Sequence, residues 1–578
     1  MLSRDGPFIL LDDARSDGAA PARLYQNPVV IISTDRADQV PSLLAKLSGD
    51  GHWAGFIAYE AGHALEPKLA PKSGTPLLWF AQFDSFDEIA SDQIASLLPD
   101  PAGAWAGKPQ PLIDRSAYAA VHDRVQALIT AGDIYQANLT FQNRVSVAGH
   151  PLALYAGLRE RAQAGYGGVV WTGSDWFLSL SPELFFALHD GKITTKPMKG
   201  TATRHRDPAS DKAAIATLRS DPKQRAENLM IVDLLRNDLS RVAEPGSVTV
   251  PHLFRVETYP TIHTMTSTVT AQLHKGAAAA DVLRTIFPCG SITGAPKIRA
   301  MEVIDAVETA PRGIYTGSIG RIDRSGDAAF NVAIRTLHLQ DGANQASMGL
   351  GSGIVADSRM GEEWAECLAK GRFVADARQF DLIETMRFEP ERGILLLDRH
   401  LARIKDSART FDFAFDHHAA RNQLQAATFS QIEPRRVRLM LSATGQMAIE
   451  ITLLHATPDQ PVMVTVVPLP VSPDDFRRCH KTSNRNFYEV TRKAAGTYEV
   501  AFADPDGFLT EGSFTNLFVE RGGVLLTPPL ARGLLPGVLR AELVETGRAV
   551  EADLRQKDLA DGFLIGNASR GLLAAQLI

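Results

Sequence analysis

An α+β chain of more than one lobe is what the sequence predicts, on three observations. Its 578 residues exceed what one hydrophobic core organises, at about 150 residues per domain. Alternating apolar segments, Trp53 to Tyr59 and Trp176 to Leu180, read as strands. Between them stand stretches of helical periodicity, Ala119 to Ile129 and Lys223 to Leu235. One long helix, Glu362 to Ala377, closes this first region, and Gln379 to Thr385 opens a new strand. The boundary is therefore placed near 376, giving domains 1–375 and 376–578. The second domain divides again near Thr457 to Pro461, a Pro-containing polar stretch between helical Leu401 to Phe411 and strand-rich Val462 to Pro468.

Bulk composition narrows the function classes. With 45% hydrophobic and 22% charged residues the chain reads as an ordinary globular protein. The net charge of -6, with no Lys/Arg run interleaved with aromatics, argues against nucleic acid and anionic membrane as partners. The first apolar run, Phe8 to Leu11, ends at Asp12 and Asp13, so a signal peptide is not expected. Nor does any run reach the about 18 apolar residues of a membrane span. Cys289, Cys367 and Cys479 are too few and too scattered for a disulfide framework or a structural zinc site, which points to the cytoplasm.

Two lysines sit in dense polar motifs, Lys196-Pro197-Met198-Lys199-Gly200-Thr201 and His480-Lys481-Thr482-Ser483-Asn484-Arg485. Lysine loses its proton readily when buried, so each is a candidate nucleophile or Schiff-base former as well as a candidate solvated charge. Glu363, Glu366 and Lys370 fall at i, i+3 and i+7, one face of a helix. A second acidic helix, Arg225 to Asp238, sets Glu227 opposite Glu366. Converging carboxylates with open water positions suit Mg²⁺, although a salt-bridged solvent face has the same spacing. Gly349-Leu350-Gly351-Ser352-Gly353 lacks a βαβ context and is not read as a nucleotide loop.

Further motifs follow in order: Gly132 to Thr140, Ser181-Pro182-Glu183, the Lys199 motif, Glu227 to Asp238, Gly290-Ser291-Ile292-Thr293-Gly294-Ala295-Pro296-Lys297, and Gly351 to Ser358. Together they resemble the chorismate-utilising enzymes over nearly all of residues 1–375. That resemblance implies a large β-sandwich with helices, chorismate as substrate, and Mg²⁺ held by Glu227 and Glu366 with Glu363 behind them. Gln224 stands where a further acid is usual. Gln136, Thr201, His263, Thr293, Tyr315, Arg335, Gly351, Ser352, Gly353 and Lys370 would bind the substrate. Members that add water are similar to one another in having lysine at the position of Gln136, so ammonia is the implied nucleophile here. Members that make anthranilate have alanine in place of Lys199, whereas aminodeoxychorismate synthases have lysine. Lys199 would then attack the ring and Glu183 act as general acid. No cysteine sits in a glutaminase motif, so ammonia would come from solution or a separate glutamine amidotransferase.

Leu397 to Ile404, the Lys481 motif, Leu509 to Phe518, Gly533 to Arg540 and Asn567 to Gly571 resemble the fold-type IV pyridoxal phosphate enzymes. This implies a two-subdomain α/β domain over 380–578. Lys481 would bind pyridoxal 5'-phosphate, Glu511 its pyridine nitrogen, and Arg403, the Gly537, Val538 and Leu539 amides and Ser569 its phosphate. Family members pair as homodimers, which is expected here through the C-terminal domain. The motifs do not separate a lyase from a transaminase. Fusion to an aminodeoxychorismate-forming domain favours the lyase and 4-aminobenzoate as product; the alternative is an anthranilate synthase-like domain fused to a branched-chain or D-amino acid aminotransferase-like domain.

Overall fold

The structure, a computed structural model, describes residues 2, 4–47, 51–70, 76–259, 262–376, 378, 380–454, 456, 458 and 460–578. The chain forms two compact units, each described separately below. Unit 1 comprises 1–98, 108–145 and 155–375; unit 2 comprises 99–107, 146–154 and 376–578. A single cut at 376 therefore leaves out two short segments. Trp105, in the first of them, packs in the unit 2 core with Phe380 and Phe411.

Unit 1 is built on two large sheets. In one, strand Gly167–Trp171 pairs antiparallel with Phe8–Asp12 and Asp175–Ser179, and Asp175–Ser179 with Thr336–Gln340. In the other, His52–Ile57 pairs with Leu78–Phe83 and Ser318–Ile322, and the path runs through Leu184–His189 to Ile262–Gln272 and Met198–Thr203. Ile9, Tyr25, Val170 and Phe177 of the first sheet meet Phe56, Trp79, Phe83 and Ile319 of the second in one buried cluster. Each strand turns alternate side chains toward the partner sheet, so the pair closes as a sandwich.

Helix Pro222–Ser240 covers the outer face of the second sheet. Asp221 caps it by accepting from the Lys223 and Gln224 amides, Pro222 enters at the first turn, and Ile231, Val232, Leu235 and Leu239 go down into the core. Its periodicity was legible from Lys223 to Leu235; the caps extend it at both ends. The other expected helix is shorter than its pattern. It covers Met360–Lys370, not Glu362 to Ala377: the Gly371 amide turns back to Leu368 O, a tightened last turn that stops the helix. Ala377 and Gln379 lie outside the described residues.

Unit 2 has a four-stranded antiparallel sheet, Gly393–Ile394, Leu382–Glu389, Arg435–Leu441 and Met447–Leu453, covered by helices Leu397–Thr410 and His417–Thr428. In Arg435–Leu441 the residues Val437, Leu439 and Leu441 are buried beneath those helices, which turns Arg436, Arg438 and Met440 to the opposite face. An eight-stranded mixed sheet follows, in which Val462–Pro468 runs parallel to both Glu499–Ala503 and Gly571–Leu577. The expected division at Thr457 to Pro461 falls partly on Thr457 and Asp459, outside the described residues.

Candidate functional site

Each unit encloses a cavity of its own. The cavity of unit 1, about 330 Å³, opens between the edge strand Met198–Thr203, helix Pro222–Ser240 and helix Met360–Lys370. Glu183, Lys199, Thr201, Glu227, Tyr315, Arg335, Gly351, Gly353, Glu363, Glu366 and Lys370 all line it, although they come from seven stretches of chain.

Glu183 is buried and accepts from Ser291 Oγ at 2.8 Å. Burial pushes its carboxyl up to about 7, against the pull of the Ser291 bond. Lys199 Nζ lies 3.5 Å from Glu227 Oε2. Its strand is held by Asn228, a fully buried side chain bonded to Lys199 O at 3.4 Å and to Ser267 Oγ at 2.6 Å. Gln136 is buried too, and among the described residues neither of its amide atoms has a hydrogen-bond partner. A Cβ on Gly353 would stand 2.7 Å from Lys199 Nζ and 2.8 Å from Gln136 Nε2, so glycine keeps the space between those groups open.

The carboxylate wall alternates with ammonium groups. Lys370 Nζ bonds Glu366 Oε1 at 2.8 Å and Gly351 O at 2.9 Å, while Ser358 Oγ donates to Glu363 Oε1 at 2.6 Å. Burial raises the Glu366 carboxyl, yet Lys370 outweighs it and holds the group below its usual range. The oxygens of Glu227, Glu363 and Glu366 do not gather within 4.8 Å of one another; among the described residues only His189, Asp190 and Asp327 do, on the surface. Three carboxylates on one wall, two of them already beside a cation, are nevertheless the donor chemistry a hard divalent ion takes. Arg335 has no ion-pair partner among the described residues, and burial draws its guanidinium down. It is placed for an incoming anion.

Four predicted residues are not among those lining the cavity: Gln136, described above, and three more. His263 is engaged by Thr258 Oγ1 and Asp211 Oδ1, both at 2.9 Å; Thr293 donates to Cys289 O at 2.8 Å; Ser352 faces Tyr118 OH at 3.4 Å. Sequence reasoning missed Asn138, Lys223 and Ser291 as cavity residues, although Asn138 and Ser291 lie inside motifs it quoted. It also missed Arg312, which bonds Asn138 O at 2.6 Å and Ile292 O at 3.1 Å and is held by Glu308.

The unit 2 cavity, about 320 Å³, brings together Arg403, Lys481, Glu511, Gly537, Val538 and Ser569. Lys481 is fixed from its backbone, since its carbonyl accepts from the Ile383 amide at 2.8 Å. Burial, with Arg403 nearby, lowers its amine to about 7. Glu511 accepts from Tyr488 OH at 2.5 Å and the Leu535 amide at 3.1 Å; burial raises its carboxyl. Arg403 is clamped by Glu384 through Nε at 2.8 Å and Nη2 at 2.6 Å, and donates to Pro536 O. Burial raises Glu384, but Arg403 and His400 overcome it and bring the carboxyl to about 2. Glu384 and His400 were not singled out from sequence.

These residues fit pyridoxal phosphate. Ser569 Oγ is buried and has no hydrogen-bond partner among the described residues, which suits a phosphate donor. Gly537 opens helix Val538–Glu545, which has no side-chain cap among the described residues, and a Cβ there would collide with Asn516 Oδ1. Val538 lines the cavity, whereas the Leu539 side chain packs against Phe518 and Leu543, which leaves its amide as the only contribution. Among the described residues no helix is long and apolar enough to cross a membrane.

A sandwich with a lysine, an acid and a carboxylate wall in one cavity defines the class: the chain belongs to the chorismate binding enzyme family, whose model matches residues 16–376. Residues 381–578 match the model of amino-transferase class IV. Within the first family, the aminodeoxychorismate synthase component 1 of Klebsiella aerogenes is 44% identical over 258 residues, 45% of this chain and 57% of that protein. An anthranilate synthase component 1 of Halobacterium salinarum is 38% identical over 259 residues, 44% of this chain and 49% of that one. The chain thus spans about half the length of the curated relatives it matches. Anthranilate synthase component I from Streptococcus pneumoniae superposes with a TM-score of 0.52 at 27% identity, covering 62% of this chain and 93% of that one.

Proposed function

We propose that the chain makes 4-aminobenzoate in two steps, amination of chorismate to 4-amino-4-deoxychorismate in unit 1 and loss of pyruvate from that intermediate in unit 2. The observation that carries the reading is Lys199, whose ammonium lies in the unit 1 cavity with the buried acid Glu183. Relatives named as aminodeoxychorismate synthase and as anthranilate synthase both match this chain, and the lysine supports the first.

Glu227 and Glu366, backed by Glu363, would hold Mg²⁺, which would supply positive charge to a chorismate carboxylate. Arg335 and Lys370 receive the dianion's charge. The Lys199 amine, once deprotonated, bonds to ring C2; the ring double bonds shift and the C4 hydroxyl leaves as water, taking its proton from Glu183. Burial pushes this carboxyl up to about 7, in the direction of the protonated form that role requires. Ammonia then bonds at C4 and the C2–N bond to Lys199 breaks, returning the amine. Ammonia comes from solution or from a separate glutamine amidotransferase.

In unit 2, bound pyridoxal phosphate supplies an electron sink for the carbanion formed at C4. Lys481, whose amine burial and nearby Arg403 bring down to about 7, takes the C4 proton. Arg403, Ser569 and the Gly537–Val538 helix start, which line the cavity, would hold the phosphate, and Glu511 would pair with the pyridine nitrogen. Aromatisation of the ring drives pyruvate out. A homodimer through residues 376–578 belongs to this reading, and light scattering on the full chain tests it. The two halves separate by mutation: Lys199→Ala should lose amination and keep pyruvate release from supplied 4-amino-4-deoxychorismate, and Lys481→Ala should do the reverse. Variants that lose neither contradict it.

A further inference from the structure

Behind the wall of the unit 2 cavity stands a carboxylate that the cofactor would not touch. Glu499 is fully buried, does not line the cavity, and has no ion-pair partner among the described residues. Its oxygens accept hydrogen bonds instead. Oε1 takes the Val500 amide at 2.9 Å, the Ser513 amide at 2.9 Å and Ser513 Oγ at 2.5 Å, and Oε2 takes the Phe514 amide at 3.1 Å and Thr515 Oγ1 at 3.0 Å. The backbone N–H groups among them can only donate, which suits an ionised carboxylate. Burial raises the carboxyl, and the Ser513 hydroxyl is the first of the bonds that pull it back. A buried charge without a counter-ion is costly, and all but the Val500 bond are directed at one turn.

That turn is part of the cavity wall. Ser513, Phe514 and Thr515 line the cavity directly after Glu511 and Gly512. The Gly512 amide closes the turn on Thr515 O at 2.8 Å. A Cβ on Gly512 would stand 2.5 Å from Thr515 Oγ1 and 2.9 Å from Glu499 Oε2, so glycine is what lets the carboxylate approach. On its other side the turn meets the loop of Ser569. Asn567 Nδ2 donates to Phe514 O at 3.0 Å, while Asn567 Oδ1 accepts from the Ser569 and Arg570 amides at 3.0 and 2.9 Å. Two paths therefore start at one carboxylate, a covalent one through Gly512 to Glu511 and a hydrogen-bonded one through Phe514 and Asn567 to Ser569. The hydroxyls of Ser513 and Thr515 are engaged by Glu499, so they brace the wall.

We propose that Glu499 is a positioning residue for the unit 2 cofactor: through the Ser513–Thr515 turn and Asn567 it sets Glu511 and Ser569 at the spacing that a pyridine nitrogen and a phosphate need. The inference rests on the reading of unit 2 as a pyridoxal phosphate site. Glu499 touches neither end of the cofactor and acts only through residues that do. Supporting groups of this kind hold the contacting side chains to the narrow geometry that binding requires.

The test uses the full chain, first without cofactor and then titrated with pyridoxal phosphate. Without cofactor, hydrogen exchange at the Ser513 and Phe514 amides should be slow in the wild type. Glu499→Gln keeps the size of the side chain but turns one acceptor into a donor. It should speed exchange at both amides by about 10-fold or more, while strand Val462–Pro468 exchanges as in the wild type. The dissociation constant for pyridoxal phosphate, followed by the visible band, should rise by about 10-fold or more. Asn567→Ala should weaken the cofactor too, and the double variant should lose less than the product of the two single losses, because both cut the same path. Thr515→Val removes one donor and should give a smaller loss of the same kind, which keeps the test decisive where Glu499→Gln does not fold. Fast exchange at both amides in the wild type, or unchanged cofactor affinity in Glu499→Gln and Thr515→Val, overturns the role. Losses that multiply in full overturn the path through Asn567. A wild-type chain whose slow amides are released by Glu499→Gln, yet which gains no visible band on cofactor addition, supports the clamp and overturns the cofactor reading alone.

Discussion

Ser291 Oγ donates to Glu183 Oε1 at 2.8 Å from a buried turn, and that bond is the main force opposing the rise of the Glu183 carboxyl. Glu183 acts as an acid only while protonated, so amination at fixed free ammonia should fall as pH rises through about 7. Ser291→Ala removes a bond that favours the carboxylate, which raises the carboxyl further and moves the descending limb to higher pH. A pH–rate profile that shifts to lower pH would contradict this assignment.

Lys199→Ala should lower aminodeoxychorismate formation by about 10²-fold, about 2.7 kcal/mol of barrier. Lys199 contacts Glu227 at 3.5 Å from one side of the cavity, while Arg335 and Lys370 remain to hold the dianion. Chorismate affinity should therefore change less than about 3-fold. Chorismate titration and ammonia-dependent turnover on the same protein measure both. Wild-type turnover removes the nucleophile role.

Lys481→Ala should abolish the visible band that forms when pyridoxal phosphate is added, and pyruvate release with it, while ammonia-dependent chorismate consumption persists. In the wild type the rate of cofactor capture should climb with pH and level off above about 7, where the amine is neutral. A reducible lysine–cofactor adduct surviving in the variant would place the cofactor on another lysine.

Glu384→Ala leaves the Arg403 guanidinium and His400 without their shared carboxylate. Breaking such a buried pair costs about 3–5 kcal/mol of stability. Denaturant unfolding should show that loss, and cofactor affinity should fall because Arg403 no longer has a fixed direction. Unchanged stability would mean that the clamp is not formed in solution.

Much of both sites was legible because the chemistry sits in contiguous motifs. Lys199, Glu227 and Glu366 read as nucleophile and acids, and the fold brings them to one cavity wall. Helix periodicity was readable where the apolar stripe is strong, as from Lys223 to Leu235, and misled where Phe373 and Val374 continue the stripe past the Gly371 turn. What stayed hidden depends on register and distance in sequence. Glu384 reads as one polar residue in an apolar strand until helix Leu397–Thr410 brings Arg403 and His400 onto it. Arg436 and Arg438 were not singled out from sequence, and the alternation of Arg435–Leu441 turns both away from the core and toward the unit 2 cavity. His263 was a substrate residue only by the resemblance, and in the fold its ring is engaged by Thr258 and Asp211.

The most direct test is to incubate the full chain with chorismate, ammonium, Mg²⁺ and pyridoxal phosphate and identify the products by mass. Equal amounts of 4-aminobenzoate and pyruvate, with 4-amino-4-deoxychorismate accumulating when pyridoxal phosphate is withheld, are the result predicted from Lys199, Glu183 and Lys481. Anthranilate as product, or chorismate recovered unchanged under all conditions, would contradict the account.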